Sequence, residues 1–294
     1  MKILKQLLMI AILAIATTSC DDPEGSSAAY EYSYSECFNY VSNRQSGKGS
    51  VFDDVKYIIK FEMPSYEASV KIMGAKFNER MPAIDFELSG LKWSNNANGV
   101  LTISANDVVP VVNGQAMSEY TINQFKVEVY DRYVVIDGQL KTSPVFVIQY
   151  TIAEMFDVTV VPEEVLYVAS TGVLDVEQGA PYYNSDMLYW IEFDAETMTA
   201  DIEIDGAKFA EGMPALNDME FNDIPLTLYT GGYSLAADAL IPTIMDVPYP
   251  NYAITSLLGN GTFANGMDLR FKCMDRYSVN ASLSIVGTTS SNQF

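Results

Sequence analysis

The chain contains an internal repeat, and this repeat constrains its fold more than any other feature of the sequence. When the 294 residues are shifted by 132 positions, residues 57–83 match residues 189–215 at thirteen of 27 positions without a gap. The most similar part reads GAKFNERMPAI from Gly74 and GAKFAEGMPAL from Gly206. Self-similarity of this extent predicts a duplicated domain.

We place the two copies at residues 30–156 and 160–288, with FDVTVVPEEV as the junction between them. The same shift continues as far as Ile122 and Ile254. Beyond them, DRY in the first copy matches DRY in the second only if the second copy gains about twelve residues around LGNGTFANGM, a Gly-rich loop insertion. The sequence therefore predicts the insertion in the second copy.

A motif written twice in one chain is better explained by folding than by catalysis. Gly supplies backbone freedom, Phe and Met supply burial, Pro begins the next extended run, and Lys covers apolar surface with its stem. We call these positions the repeat signature and predict a shared turn and apolar plug at Gly74, Lys76, Phe77, Met81 and Pro82, and again at Gly206, Lys208, Phe209, Met213 and Pro214.

Short alternating runs predict an all-β protein. Segments such as VKYIIKFEM and YEASVKIMG place apolar and polar residues in turn, and Tyr and Phe are plentiful. No long stretch with a helical period follows the first twenty residues. About eight strands per copy indicate two tandem antiparallel domains, each a barrel or a sandwich, because closure limits exposed sheet edges.

The N-terminus has the features of an export signal. Lys2 and Lys5 precede an apolar run that is too short to span a membrane, and small residues then lead to Cys20. We predict a lipoprotein signal peptide at residues 1–19 and lipidation of Cys20, with an ordinary cleaved secretory signal as the alternative.

Residues 20–29 continue as DDPEGSSAA after the cysteine and predict a flexible acidic tether. Acidic residues at this place resemble the surface-export signal of Bacteroides-type lipoproteins, and a solvated linker is the alternative. The predicted location is the outer membrane, on its periplasmic face or exposed at the cell surface.

The segment IEIDGAKFAEGMPALNDMEFNDIPL and its partner at residues 70–94 carry a family resemblance. Together with export and a β-rich duplicated body, they resemble the calycin-like (lipocalin-type) barrel lipoproteins of Bacteroides-type bacteria. The resemblance implies a barrel in each copy. It leaves the function open, because barrels of this kind carry many activities.

Charge excludes some partners. The formal net charge is −21, and removal of the signal with its two lysines lowers it to −23. Such a charge opposes binding to nucleic acid or to anionic lipid. Membrane attachment is therefore predicted to come from the lipid on Cys20.

The chain has no histidine, which excludes Ser-His-Asp and Cys-His catalysis and most zinc sites. We predict no enzyme activity, no cofactor and no metal site. Two alternatives use acids: a calcium site in DAETMTADIEIDG, which lacks the usual ligand spacing, and a hydrolase of glycans with paired carboxylates. Such pairs occur at Asp53 with Asp54, Glu163 with Glu164, and Asp201 with Glu203.

Two further motifs have alternative readings. Cys37 and Cys273 are predicted to be buried free thiols, although an exported compartment also permits a disulfide. Each DRY is predicted to be a tight connection in which Asp bonds backbone N–H groups and Tyr133 or Tyr277 faces the core. The alternative is a ligand-binding Arg132 and Arg276.

Aromatic residues are the best indication of a binding site. Tyr182, Tyr183 and Tyr249 have no match in the other copy and are predicted to be ligand contacts. The leading hypothesis is a non-catalytic binding or scaffolding module with a small apolar molecule, a lipid, a glycan or a surface protein as its partner. The alternatives are the hydrolase and a structural subunit of a surface complex.

Overall fold

The computed structural model describes residues 29–96, 99–130, 133–136, 139–142 and 144–285. The first copy contributes the strands β1 (Ala29–Tyr34), β2 (Cys37–Asn43), β3 (Gly49–Phe52), β4 (Lys56–Glu62), β5 (Glu67–Ala75), β6 (Ile84–Asn95), β7 (Leu101–Ala105), β8 (Val111–Val112), β9 (Gln115–Ala116), β10 (Ile122–Tyr130), β11 (Tyr133–Ile136), β12 (Gln139–Thr142), β13 (Val145–Ile152) and β14 (Phe156–Pro162).

The second copy contributes the strands β15 (Glu164–Asp175), β16 (Ala180–Asn184), β17 (Leu188–Asp194), β18 (Thr199–Asp205), β19 (Met219–Tyr229), β20 (Gly232–Leu240), β21 (Thr243–Ile244), β22 (Val247–Pro248), β23 (Ile254–Thr262), β24 (Gly266–Cys273) and β25 (Tyr277–Ile285). Short 3-10 helices at Ser118–Tyr120 and Pro250–Tyr252 are the only helices in the described ranges, which confirms the all-β prediction. Within those ranges no helix has the length and apolar character needed to cross a membrane.

The strands form two compact units. Unit 1 contains the described residues up to Ser35 together with Asp54–Phe156. Unit 2 contains Glu36–Asp53 and the described residues from Asp157 onwards. Residues 36–53, which fall inside the range predicted for the first domain, therefore lie in the second unit. FDVTVVPEEV, predicted as a junction, contains the largely buried strand β14.

Unit 2 contains a closed barrel of eight antiparallel strands. Their order is β18-β17-β15-β25-β24-β23-β20-β19, and pairing of β18 with β19 closes the ring. β15 is long enough to pair with β17 near its start, with β16 near its end and with β25 along most of its length. Closure leaves no free edge along the ring, which meets the hydrogen-bonding needs of every strand.

Unit 1 contains a curled half-barrel with the strand order β1-β4-β5-β6-β7-β10-β13. The difference from unit 2 arises in the residues of the first copy that correspond to the single strand β15. In the first copy this segment is interrupted at Ser35 and Glu36 and forms two strands. The first, β1, pairs with β4, and the second, β2, belongs to unit 2. β2 pairs with β3 in the register by which β15 pairs with β16, since Asn39 faces Phe52 as Thr171 faces Asn184.

The structure contradicts the predicted position of the insertion. β10 matches β23 at the shift of 132, but β13 matches β24 and β14 matches β25 only at a shift of 121. The extra residues therefore belong to the first copy, which carries the hairpin of β11 and β12 between β10 and β13. The left-handed turn at Ala153 and Glu154 corresponds to the one at Met274 and Asp275, which supports this alignment.

The two DRY segments are consequently not equivalent. Asp131 and Arg132 lie outside the described residues, and Tyr133 begins β11, on the inserted hairpin. Asp275 and Arg276 instead lie in the turn between β24 and β25. The identity of the two DRY segments is therefore a coincidence, and aligning them assigned the extra residues to the wrong copy.

Alternating side chains fill the barrel of unit 2. In β18 every second residue is buried, as expected for a strand with one face toward a core. The core includes fully buried Tyr167, Tyr189 and Tyr233, and their hydroxyls find partners: Tyr167 bonds Tyr233 at 2.9 Å, and Tyr189 bonds Thr171 at 3.2 Å. Aromatic rings with satisfied hydroxyls thus occupy the barrel interior.

Cys37 and Cys273, both in unit 2, are buried free thiols, as predicted. Burial raises the pKa of Cys273 to about 12. Burial, together with the nearby carboxylates of Glu163 and Glu36, raises the pKa of Cys37 well above its usual range. Neither thiol is therefore a nucleophile at neutral pH.

Candidate functional site

The barrel of unit 2 has two distinct ends. Because neighbouring strands run antiparallel, the connections alternate between the ends. One end carries the tight turns at residues 195–198, 230–231 and 263–265. The other, which we call the arm end, carries the remaining four connections of the barrel, at residues 176–187, 206–218, 241–253 and 274–276.

Backbone hydrogen bonds join the connections of the arm end to each other. The N–H of Val176 donates to the carbonyl of Arg276 at 2.9 Å, and the N–H of Met274 donates to the carbonyl of Ala253 at 2.9 Å. These bonds link the first connection to the fourth, and the fourth to the third.

Side chains complete the ring of contacts. The hydroxyl of Thr243 donates to a carboxylate oxygen of Glu220 at 3.0 Å, which ties the third connection to β19. The ammonium of Lys208 lies 5.5 Å from the centre of the Tyr182 ring, a cation–π contact between the second connection and the first. The arm end is therefore a continuous, internally bonded surface.

The repeat signature forms the apolar plug of this end. Phe209 is buried, stacks on Tyr277 at 6.1 Å and meets Phe271 edge-on at 6.4 Å. Phe77 repeats both contacts in unit 1, with Phe156 stacked at 6.4 Å and Tyr150 edge-on at 6.5 Å. The turns that follow are also alike, because the N–H of Met81 bonds Asn78 and that of Met213 bonds Ala210, both at 3.1 Å.

Backbone geometry explains the glycine of the signature. Gly74 and Gly206 have φ of 75° and 72°, a left-handed conformation that glycine adopts without strain. A Cβ at Gly74 would collide with the carbonyl oxygen of Asp54, and one at Gly206 would lie 3.4 Å from that of Asp186. The other signature residues are less enclosed: the lysines and methionines are half-buried, and Pro82 and Pro214 are exposed.

Arg276 is held by acids of the same end. Its guanidinium donates to one oxygen of Asp175 at 2.6 and 3.1 Å and lies 3.5 Å from Glu177. These bonds hold the pKa of Asp175 below its usual range, helped by backbone N–H groups of Gln178 and Glu177 that donate to the same carboxylate. Arg276 thus fastens the turn after β24 to the end of β15.

Asp275 and Tyr277 complete the DRY of the second copy. The carboxylate of Asp275 accepts a hydrogen bond from the hydroxyl of Thr255 at 3.0 Å. Tyr277 is half-buried and packs against the core through Phe209, so it faces inward as the sequence predicts.

Exposed apolar side chains concentrate at the arm end. Of the large apolar residues that are exposed in the described part of unit 2, all but Val168, Tyr229 and Leu258 lie there. They are Leu174, Val176, Tyr183, Ile241, Met245, Val247, Tyr249 and Met274. Apolar clusters on a soluble surface are typical of interaction sites.

The largest share belongs to one projecting hairpin, residues 241–250, which we call the arm. β21 and β22 form its two short strands, and Ile244 anchors it by pairing with Met219 of the barrel. The turn between the strands is Met245–Asp246, with φ of 51° and 63°. Met245 is 68% exposed, Val247 54% and Tyr249 40%, so the tip of the arm is apolar.

Sequence reasoning missed the arm, although a signal exists. At the shift of 132 the arm matches residues 109–118, where β8 and β9 form the same hairpin. There the turn is Asn113–Gly114, with φ of 49° and 79°, and Gln115 occupies the position of Val247. The copies thus share a backbone, and the second has apolar Met245 and Val247 where the first has polar Asn113 and Gln115.

Acidic residues lie beside the base of the arm. Glu203 of β18 faces Glu220 of β19 directly across the sheet. Burial raises the pKa of Glu203, and the negative charges of Asp218, Glu220, Asp205 and Glu164 raise it further. We call Glu203, Asp205, Asp218 and Glu220 the acidic patch.

The three tyrosines predicted as ligand contacts all belong to the arm end, yet their surroundings differ. Tyr183 is 79% exposed and faces Gly172 across the strands, with its ring over the glycine. Tyr249 is exposed, and its ring lies 6.3 Å from that of Tyr252. Tyr182 is half-buried beneath Lys208 and packs against the core. Only Tyr183 and Tyr249 are thus placed to meet a ligand.

The acids considered for catalysis or calcium have structural partners where bonds are resolved. Asp201 accepts the backbone N–H of Asp223 at 2.8 Å. Asp194 accepts those of Glu196 and Thr197, which caps the turn after β17. Within the described residues, no group of three or more Cys, Asp or Glu is arranged to hold a metal ion. Cys20 and residues 21–28 lie outside the described residues.

No family model matches the chain, and no curated protein matches it. Among solved structures it is similar to the isotype 1 transferrin binding protein B (TbpB) from serogroup B Neisseria meningitidis. The TM-score is 0.24 at 7% sequence identity, and the match covers 89% of this chain and 76% of that one. A similarity at this level carries no information about function.

Proposed function

We propose that the protein is an exported, non-catalytic binding module that is anchored to the outer membrane through Cys20 and recognises its partner with the arm end of unit 2. The observation that carries the proposal is the concentration of exposed apolar side chains at this end. Apolar area that stays in water when the protein is alone gains free energy when a partner covers it.

The interior of the barrel favours recognition at the surface. Tyr167, Tyr189 and Tyr233 are fully buried, and their hydroxyls bond each other or neighbouring side chains. A ligand inside the barrel would have to displace these rings and break their hydrogen bonds, whereas the side chains of the arm are already exposed.

The proposal of a non-catalytic role rests on side chains that could act in catalysis but are absent, unreactive or bound to other residues. The chain has no histidine, the thiols of Cys37 and Cys273 have raised pKa values, and Arg276 is held by Asp175. The carboxylate of Asp201, a member of one candidate acid pair, supports the backbone of β19 by a hydrogen bond. These groups serve the fold.

A structural subunit of a surface complex is the second candidate, and the arm favours it over the glycan hydrolase. A short projecting hairpin with an apolar tip suits a protein partner, since protein interfaces have apolar centres with polar rims. If the protein is a structural subunit, the partner of the arm would be a neighbouring subunit of the complex.

Site-specific photo-crosslinking tests the proposal in the lipid-anchored protein. A photoreactive amino acid replaces Val247 on the arm in one variant and Tyr229 at the opposite end of the barrel in another. We expect a discrete adduct from position 247 and none from position 229. Equal labelling from both positions, or none from position 247, would contradict recognition by the arm end.

Anchoring has its own measurement. Cys20→Ser should release the protein from the membrane fraction and abolish incorporation of a labelled fatty acid, because the lipid supplies the attachment. Retention of the variant in washed membranes would refute anchoring through Cys20.

A further inference from the structure

The turn of the arm contains an exposed apolar residue, Met245, in a backbone conformation that is unfavourable for it. Left-handed φ is uncommon for residues other than glycine and is best tolerated by Asn and Asp. The first copy follows this rule with Asn113–Gly114, the preferred pair for a two-residue hairpin turn. The second copy places Met245 at φ of 51°, where the side chain is 68% exposed. Hairpin formation does not explain a methionine at this position.

The acidic patch adjoins the arm through a direct bond. Thr243, in the first strand of the arm, donates to Glu220 at 3.0 Å and pairs with it in the sheet. Glu220 in turn faces Glu203, so two like charges lie directly opposite each other, an arrangement that destabilises a sheet. In the first copy the residue at the position of Glu203 is Lys71, which faces Glu87. Unit 2 therefore carries negative charge where unit 1 pairs opposite charges.

Burial raises the pKa of Glu203, and the negative charges of neighbouring acids, including the Glu220 that faces it, raise it further. Two cations of the arm end have other partners, since Lys208 lies over Tyr182 and Arg276 bonds Asp175. A positively charged group at the patch would relieve the repulsion. A partner that brings such a group would gain affinity from it.

We propose that the arm end binds a protein segment that is both apolar and basic, with its apolar side chains on Met245, Val247 and Tyr249 and its Lys or Arg side chains on the acidic patch. This inference rests on the proposed function and specifies the partner. Met is adaptable and Tyr combines an apolar ring with a polar hydroxyl, so both suit a protein surface.

The charge of the site selects this occupant over others. An anionic membrane surface would be repelled by Glu203, Glu220 and their neighbours. A second copy of the mature chain would bring its own net charge of −23, and repulsion opposes that association. A basic protein segment is attracted by the same field, and the attraction weakens as salt screens it.

A displayed library of random twelve-residue peptides, selected on the immobilised mature protein, tests the proposal. We expect the selected peptides to contain Lys or Arg together with Leu, Ile, Phe, Trp or Tyr. Selected peptides without basic residues, or with acidic ones, would overturn the proposal.

Variants taken from the first copy locate the site. Met245→Asn, Val247→Gln and Tyr249→Met together replace the exposed apolar residues of the tip with their counterparts in the first copy, and should weaken a selected peptide at least about tenfold. Glu203→Lys with Glu220→Lys should weaken it by a similar factor and reduce its salt dependence. Tyr229→Ser, at the opposite end of the barrel, is the matched control and should leave affinity unchanged.

Folding is checked in each variant by the unfolding transition of Trp190 in a Trp93→Phe background. If folded arm variants bind the peptides as the wild type does, the arm is not the site and the inference fails. If peptides bind at the arm without preference for basic residues, the inference fails while the proposed function stands. If no peptide binds and position 247 gives no crosslink, both fail. Binding to vesicles of anionic lipid, or dimers that the arm variants abolish, would also overturn the inference.

Discussion

Unit 1 and unit 2 carry the same hairpin arm, at residues 109–118 and 241–250, on closely similar backbones. The two turns have nearly equal left-handed φ at Asn113 and Met245. The buried plug is also repeated, since Phe77 and Phe209 make the same stacked and edge-on contacts. Within the arm and the plug, the copies differ mainly in the side chains that the arm exposes. The comparison separates what the fold requires, which both copies have, from what one copy has added.

Charge pairing shows the same division. In unit 1, Lys60 bonds Glu62 at 2.7 Å and Lys92 bonds Glu67 at 2.9 Å. In unit 2, acids face acids across neighbouring strands, at Glu164 with Glu192 and at Glu203 with Glu220. In these examples the acids of unit 1 each bond a lysine, whereas the acids of unit 2 lie opposite another acid in the sheet.

The largest expected effect comes from removing the shared plug. Phe209→Ala should cost about 3–5 kcal/mol of unfolding free energy, because a buried aromatic ring is lost and a cavity remains. Phe77→Ala should cost a similar amount in unit 1. Trp190 in a Trp93→Phe background and Trp93 in a Trp190→Phe background report the two units by fluorescence in urea. A loss below about 1 kcal/mol in either unit would show that the plug is not equivalent in the two copies.

The signature glycines should distinguish the two turns. Alanine in a left-handed conformation costs about 1–2 kcal/mol, which applies to both Gly74→Ala and Gly206→Ala. Gly74→Ala should cost more, because its Cβ would collide with the carbonyl of Asp54, whereas Gly206→Ala meets the nearest atom at 3.4 Å. The same urea titrations measure the difference, and a larger loss at Gly206 would reverse the predicted order.

Exchange of the turn residues should shift the two units in opposite directions. Met245→Asn should stabilise unit 2 by about 0.5–1 kcal/mol, because Asn tolerates left-handed φ better than Met. Asn113→Met should destabilise unit 1 by a similar amount. Thermal unfolding of the single-tryptophan proteins measures both. A destabilising Met245→Asn would mean that the methionine makes a contact the fold needs.

The smallest effect concerns the acidic patch and depends on pH. Because the folded-state pKa of Glu203 is raised, its charge opposes folding at neutral pH, and the penalty disappears when the pH falls below the usual range of glutamate and the group is protonated in both states. Glu203→Gln should therefore stabilise unit 2 at neutral pH by a few tenths up to about 1 kcal/mol, with Glu203→Lys stabilising it more. Unfolding followed at neutral and at acid pH checks the sign. An equal gain at both would exclude electrostatics as its cause.

Local pattern was enough to predict the strands and the duplication. Alternation in β4 and β18 and the repeated Phe of the plug are properties of short segments, and the structure places them as expected. The half-barrel was not predictable in this way. β2 has the pattern of any half-buried strand, and the choice of unit 2 as its partner depends on long-range pairing that no local spacing encodes.

The candidate site was predicted only in part. Tyr182 and Tyr183 are neighbours in the sequence, yet one is half-buried under Lys208 and the other is exposed, because successive residues of a strand face opposite sides. Positions that agree between the copies do not indicate the arm. Its signal is a disagreement, an apolar side chain at Met245 or Val247 where the other copy is polar.

Because residues 36–53 belong to unit 2, the order of synthesis affects how this unit folds. Protein chains are made and translocated from the N-terminus, so this segment emerges before all of residues 54–156 and long before the rest of its unit. Unit 2 cannot be completed until the last strand, β25, has arrived, and contacts so distant along the chain form slowly. Until then the segment, with Phe38 and Cys37 that are buried in the folded protein, lacks most of the core that covers it. Its apolar side chains are exposed to aggregation for longer than those of any later strand of the unit.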